Sequence, residues 1–303
     1  MGNRSNTLLA IILLAILSVI WGSSFLLMKL SLEAFTPLEI AALRLAIAGL
    51  ILSPFLVKYV REVPRKQLIL LVAIGLFGSG LPAFLFPMAE QVVPTSVAGV
   101  LNAMTPIFTI VIAAIFFSTR FPLLKVFGIF VGLGGTLLLM SAGGMDLKAG
   151  EEISTWTYVQ FCSYIVLATI FYAFSVNISK TYFQDLNPIG ITAISLGSMA
   201  TPAIIYLLTN ANFTETMQTH PQAWESFLWV ALLGAIGTAF ALILFYRLLQ
   251  ISNLIIASSV TYTIPIVAVL WGVFYLHEPL NWQHYLGMAV ILAGVWVVNM
   301  KKG

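Results

Sequence analysis

The sequence is poor in charge, in cysteine and in histidine, and each shortage excludes something. Only 8% of its 303 residues are Asp, Glu, Lys or Arg, against about 25% in ordinary globular domains. That is too little charge to coat a water-soluble particle of this size, so a soluble enzyme, a nucleic-acid binder and a disordered chain are all excluded. The single cysteine, Cys162, can form no intrachain disulfide and offers no thiolate cluster to a metal. The three histidines stand in no His-Glu-x-x-His pattern, and no Gly-x-Ser-x-Gly elbow occurs. An intramembrane enzyme would need such a constellation. Neither enzymatic activity nor a cofactor is therefore expected.

Apolar sequence fills the place of the missing charge. Hydrophobic residues make up 60% of the chain and the mean hydropathy is +1.01. Ten apolar segments can be cut out at 8–29, 38–58, 67–87, 93–117, 123–142, 156–179, 188–208, 225–247, 254–276 and 282–300. At 1.5 Å per residue, about twenty residues cross a hydrocarbon core of ~30 Å. An open sheet cannot satisfy its backbone in lipid, and the alternating ~10-residue strands of a barrel are absent, so the segments read as helices. The first segment stays apolar through Leu27, too long for a signal peptide, and is expected to be retained. The fold class is therefore all-α integral membrane with ten transmembrane helices.

The few charges set the orientation. With the N-terminus in the cytoplasm, Lys58, Arg61, Arg65, Lys66, Lys125, Lys180, Arg247, Lys301 and Lys302 fall on the cytoplasmic side. Glu33, Glu39, Glu90, Glu215, Glu225 and Glu278 fall on the other. This is the positive-inside bias, and it predicts N-in and C-in. Trp156, Trp224 and Trp282 stand at outer helix ends, as interfacial anchors.

The chain also repeats itself. At an offset of 159 (234 minus 75), Gly75 meets Gly234, Gly78 meets Gly237, Phe86 meets Phe245, Gln91 meets Gln250 and Pro106 meets Pro265. At an offset of 151, Trp21 meets Tyr172, Ser24 meets Ser175, Lys29 meets Lys180 and Pro37 meets Pro188. A longer connection between segments 7 and 8 absorbs the difference. The expected units are 1–147 and 148–303, five helices each. Five is odd, so the second unit enters the membrane inverted. Inverted repeats place a binding site at their interface near the bilayer midplane and let the two halves exchange conformations.

Several of these motifs, in this order and twice over, resemble the drug/metabolite transporter superfamily, in particular its EamA-type branch. They are Trp21-Gly-Ser-Ser-Phe25 with Lys29, Pro37 and Arg44; Pro94-Thr-Ser96 leading into Pro106; and Pro265 with Leu276-His-Glu278-Pro279 before Gly287 and Gly294. The resemblance covers nearly the whole chain. It implies ten helices, export of small metabolites and a central cavity between the halves. One departure stands out. The family's glutamate at the end of helix 4, matched by Glu278 in the second half, is replaced here by Thr119, followed by Arg120.

The candidate pathway residues are the polar and aromatic side chains inside the spans. Intramembrane polar groups are costly and face inward. Thr95, Asn102, Thr105 and Thr109 fall on one stripe about 80° wide at 100° per residue, beside Pro106, which frees a backbone carbonyl and breaks the helix. Ser258, Thr261 and Tyr262 repeat the design before Pro265. Trp21 and Ser24 on segment 1 are matched by Tyr172 and Ser175 on segment 6. Substrate binding is assigned to Trp21, Ser24, Asn102, Thr105, Tyr172, Ser175, Thr261 and Tyr262. The competing reading for each is helix packing, since Ser, Thr and Asn also join helices. Arg44 lies seven residues past Pro37, ~10 Å along a helix. It can bind a substrate carboxylate or phosphate, snorkel outward, or pair with an acid; a gate or ion pair among Arg44, Glu39, Glu90 and Glu278 is the expectation. Lys29 and Lys180 are expected to stabilise the terminal carbonyls of their own helices. No carboxylate lies at the midplane, which leaves the energy source open.

These residues predict a secondary transporter exporting small metabolites, such as amino acids or related solutes, across the cytoplasmic membrane by alternating access. A flippase for a lipid or lipid-linked substrate is the alternative, and a channel is less favoured. The expected partners are a small-molecule substrate and the lipid bilayer, with no nucleic acid. The chain is a monomer or a homodimer.

Overall fold

The computed structural model describes residues 2–117, 123–141, 144–145, 152–252, 257 and 260–299. Thr119, Arg120, Ser258, Lys301 and Lys302 lie outside the described residues, as does the side chain of Tyr262. The described chain is helical, apart from an antiparallel pairing of Gly144–Met145 with Glu152–Ile153.

Among the described residues, seven helices are long and apolar enough to cross a membrane. They are α1 (Leu8–Ser31), α2 (Pro37–Tyr59), α3 (Arg65–Glu90), α4 (Thr95–Phe116), α6 (Thr155–Tyr182), α7 (Pro188–Thr209) and α8 (Ala223–Ile251). Three shorter apolar helices occupy the remaining expected segments: α5 (Leu123–Leu139), α9 (Thr263–Tyr275) and α10 (Trp282–Val297). Large apolar side chains face outward along these helices, with Leu123 86%, Leu208 82% and Phe274 72% exposed. Water would not tolerate so continuous an apolar surface; lipid solvates it. Trp156, Trp224 and Trp282 are exposed at helix starts.

Local chemistry fixes the helix ends. Thr36 and Glu39 form a capping box on α2: Thr36 Oγ1 accepts from the Glu39 N–H at 3.4 Å, and Glu39 Oε2 accepts from the Thr36 N–H at 2.9 Å. Pro37 follows at a position where no N–H is needed. Asn187 caps α7 with a single bond, its Oδ1 accepting from the Ile189 N–H at 2.9 Å, and Pro188 is the first residue of the helix. A short polar helix, Ala211–Thr219, follows α7. Phe213 on it meets Phe35 with ring centroids 5.8 Å apart.

Two helices are interrupted by π turns, Leu76–Gly80 in α3 and Ala235–Phe240 in α8. Their first residues are separated by 159 positions, the offset of the sequence repeat. A third π turn, Trp271–Tyr275, ends α9.

Small residues bring the helices together. α2 packs on α7, and α5 on α10. A Cβ on Gly49 would collide with the Ala200 methyl of α7, and one on Gly294 with the Gly132 backbone of α5. Where no hydrophobic force drives helices together, such close approach supplies the dispersion contacts. Gly132, Gly135, Gly287 and Gly294 are thus spent on packing within one chain. Other contacts fall into related sets: α1 with α9 and α6 with α4, α3 with α7 and α8 with α2, and α3 with α6 and α8 with α1.

Candidate functional site

α1, α2, α3, α4, α6, α8 and α9 converge on a cavity. The space open to water centres is about 110 Å³, room for a small organic solute rather than a single water or ion. Of the residues singled out in the sequence, Trp21, Ser24, Asn102, Thr105, Tyr172, Ser175 and Thr261 all reach its wall. Thr109 and Arg44 do as well. Thr95 does not; it is fully buried at the start of α4.

Two aromatic pairs form the walls. Trp21 meets Phe245 with centroids 5.3 Å apart, and Tyr172 meets Phe86 at 5.9 Å. Trp21 and Tyr172 are related by the offset of 151, and Phe245 and Phe86 by 159. The π turns stand behind them. Trp21 Nε1 donates to the Gly237 carbonyl at 3.1 Å. Ser24 stands where a Cβ on Gly237 would be, and Ser175 where a Cβ on Gly78 would be. Only glycine leaves room for these hydroxyls. Ser24 and Ser175 donate to the carbonyls of Ile20 and Ile74 at 2.9 and 3.2 Å. The sequence paired the glycines and phenylalanines, yet gave them no place in the site.

α4 is broken at Ala103–Met104, just before Pro106. Pro106 has no N–H for the Asn102 carbonyl, and the Thr105 hydroxyl donates to that carbonyl at 2.7 Å instead. The Asn102 side chain lines the cavity, and its Oδ1 is buried without a hydrogen-bond partner. Pro265 behaves differently. The helix Val260–Leu270 runs through it, so the expected break is not there. One missing N–H and a steric clash bend a helix more readily than they end it.

Arg44 Nε donates to Thr238 Oγ1 at 2.6 Å, and Thr238 in turn donates to the Leu233 carbonyl at 2.9 Å. Thr238 belongs to the π turn of α8. Tyr172 and Glu90 also face the guanidinium. Among the described residues, no carboxylate lies within ion-pairing distance of it.

The three glutamates expected to share a gate are apart in their bonding. Glu39 serves its own helix start, and its Oε1 accepts from Asn210 Nδ2 at 3.2 Å. Glu278 is buried against the start of α4. It accepts from the backbone N–H of Thr95, and from the N–H and hydroxyl of Ser96 at 3.0 and 2.6 Å. The turn that presents it contains His277 at φ 52° and folds onto the Gly272 carbonyl. A carboxylate is well placed at a helix N-terminus, where unpaired N–H groups and the dipole favour negative charge. Glu90 is fully buried, and neither carboxylate oxygen has a hydrogen-bond partner.

Lys29 and Lys180 bond to terminal carbonyls, but of neighbouring helices rather than their own. Lys29 Nζ donates to the Glu90 carbonyl ending α3 at 2.6 Å, and Lys180 Nζ to the Leu249 carbonyl near the end of α8 at 2.9 Å. Glu90 and Leu249 are again 159 positions apart.

The EamA-like transporter family model matches the chain twice, over residues 8–141 and 161–300. The chain belongs to the EamA-like transporter family. It is a multi-pass membrane transporter of the drug/metabolite group. Among similar proteins, an uncharacterized transporter of Archaeoglobus fulgidus is 25% identical over 96% of this chain and 99% of its own. The uncharacterized inner membrane transporter YedA of Escherichia coli K12 is 29% identical over 94% of this chain and 89% of its own. A solved crystal structure shares the fold, with a TM-score of 0.63 at 18% identity, covering 97% of this chain and 96% of that one.

Proposed function

We propose that this EamA-like protein is a secondary transporter that moves small metabolites, such as amino acids or related solutes, outward across the cytoplasmic membrane. Its ten apolar helices act as two inverted five-helix halves, 1–147 and 148–303, with both termini in the cytoplasm. The solute sits between the halves and is exposed to each side in turn. One observation carries this reading: the cavity walls are built from repeat-related pairs, Trp21 with Phe245 and Tyr172 with Phe86. Two equivalent half-sites around one cavity are what alternating access by exchange of conformations requires. The double match of the family model supports the same division, and the name of the Escherichia coli relative supports the inner membrane.

The test is counterflow in liposomes holding the purified protein. Trapped unlabelled metabolite should drive uptake of the same labelled metabolite, with saturation. A panel of amino acids and related small metabolites showing no protein-dependent flux in either direction would overturn the proposal, and flux without saturation or counterflow would point to a channel.

A further inference from the structure

Among the described residues, Arg44 is the one formally charged residue in the cavity wall. Its Nε is held by Thr238, which fixes the plane of the guanidinium. Nη1 meets the Met28 sulfur at 4.0 Å, a weak acceptor, and the Tyr172 hydroxyl stands beside the guanidinium. Glu90 faces Arg44 through space but bonds to nothing through either oxygen. A guanidinium is five N–H donors in a rigid fork, matched to the two oxygens of an oxyanion. In the same cavity wall, Asn102 Oδ1 is a buried acceptor without a donor. A buried polar group left unpaired is costly, and a ligand that pairs it recovers that cost. The rest of the wall is largely apolar and aromatic, with Trp21, Phe86, Tyr172 and Phe245 at its centre.

We propose that the cavity recognises a small monocarboxylate with an apolar body and a neighbouring N–H or O–H: the carboxylate against the Arg44 guanidinium, the donor on Asn102 Oδ1, and the body between the two aromatic pairs. A single cation in the wall matches a single negative charge. A phosphate dianion would leave one charge uncompensated in an apolar site. The inference rests on the transport reading for what the cavity is for, but its test is binding alone.

The probes are leucine, 2-hydroxy-4-methylpentanoate, 4-methylpentanoate and leucinamide, with the same four head groups on a phenylpropane skeleton and with inorganic phosphate. Binding to the full-length protein in detergent is read by titration calorimetry and by the rise in melting temperature. Amino and hydroxy acids of at least one skeleton should bind about tenfold or more tightly than the amide, the size of one hydrogen bond to a charged group. Arg44→Met should abolish that preference. Arg44→Lys, which keeps the charge but not the fork, should retain part of it. Asn102→Ala should remove the advantage of the amino and hydroxy acids over the plain acid, leaving the plain acid's affinity unchanged. Equal binding of acid and amide, stronger binding of phosphate, no binding by any acid, or an Arg44→Met protein that folds and keeps the preference would each overturn the proposal. Binding that follows this pattern without flux in liposomes would refute the transport reading and leave this one standing.

Discussion

Arg44 Nε and Thr238 Oγ1 lie 2.6 Å apart and tie α2 to the π turn of α8. The bond joins the two sequence repeats at the cavity wall, and it sets the direction of the Arg44 charge. Thr238→Val keeps the shape of the side chain but leaves the Nε proton unpaired. Hydrogen bonds to charged groups are worth about 1.5–3 kcal/mol. The variant should melt at a lower temperature than the parent, and bind carboxylate probes about tenfold more weakly. Calorimetry on both proteins checks this.

Glu278 should matter for stability rather than for ligand. It satisfies two backbone donors and one hydroxyl at the buried start of α4. Glu278→Ala strips all three, a loss of about 1–3 kcal/mol or more by the usual scale of buried unpaired donors. Glu278→Gln keeps an acceptor and should lie between. Thermal denaturation in detergent measures the loss, and ligand affinity of the folded fraction should stay within about twofold of the parent. Affinity that falls in step with stability would instead assign this carboxylate to the pathway.

The two aromatic pairs predict matched damage. Trp21→Leu and Tyr172→Leu each remove one ring from repeat-related positions that face repeat-related partners. Both should lower flux in liposomes by roughly tenfold, the order of an aromatic pair plus its buried area. Trp21→Phe keeps the ring and loses the bond to the Gly237 carbonyl, so it should cost less. Unchanged flux in both leucine variants would remove these walls from the site.

Topology is open to labelling because Cys162 is the only cysteine and is buried. In a Cys162→Ala background, Gln218→Cys on the short polar helix should react with a membrane-impermeant maleimide from outside the cell. Arg61→Cys should react only after the membrane is opened. Both positions are exposed. The reverse pattern would invert the orientation.

Much of this could be read in the residues because the repeat pairs them. Trp21 with Tyr172, and Phe86 with Phe245, were aligned by offset alone, and the structure brings all four to one cavity. Periodicity also placed Asn102, Thr105 and Thr109 on one face. What escaped has physical reasons. Glu39 follows Thr36 at capping-box spacing, so its local role was present in the sequence, but its charge suggested a gate. Glu278 closes a helix start more than 180 residues earlier in the chain, and no local pattern encodes that. Their place at helix ends points Lys29 and Lys180 to their own carbonyls, and a long flexible stem reaches the neighbour's instead. The π turns leave no compositional mark: Leu76-Phe-Gly-Ser-Gly80 reads as ordinary apolar helix with permissive glycines.

Those π turns set a phase. An i→i+5 turn accommodates a residue more than an α turn does, so the helix beyond it is rotated by about 100°, the angle of one residue. Phe86 and Phe245 both lie downstream of such a turn, six and five residues past its last member. Removing one residue from Leu76–Gly80 would restore α-helical winding and leave Phe86 facing Tyr172, whereas winding the same residues as α helix without a deletion would swing Phe86 away. The facing of the aromatic wall thus depends on how the turn upstream is wound, and a change that tightened it to α helix at constant length would act on the solute without replacing any side chain that touches it.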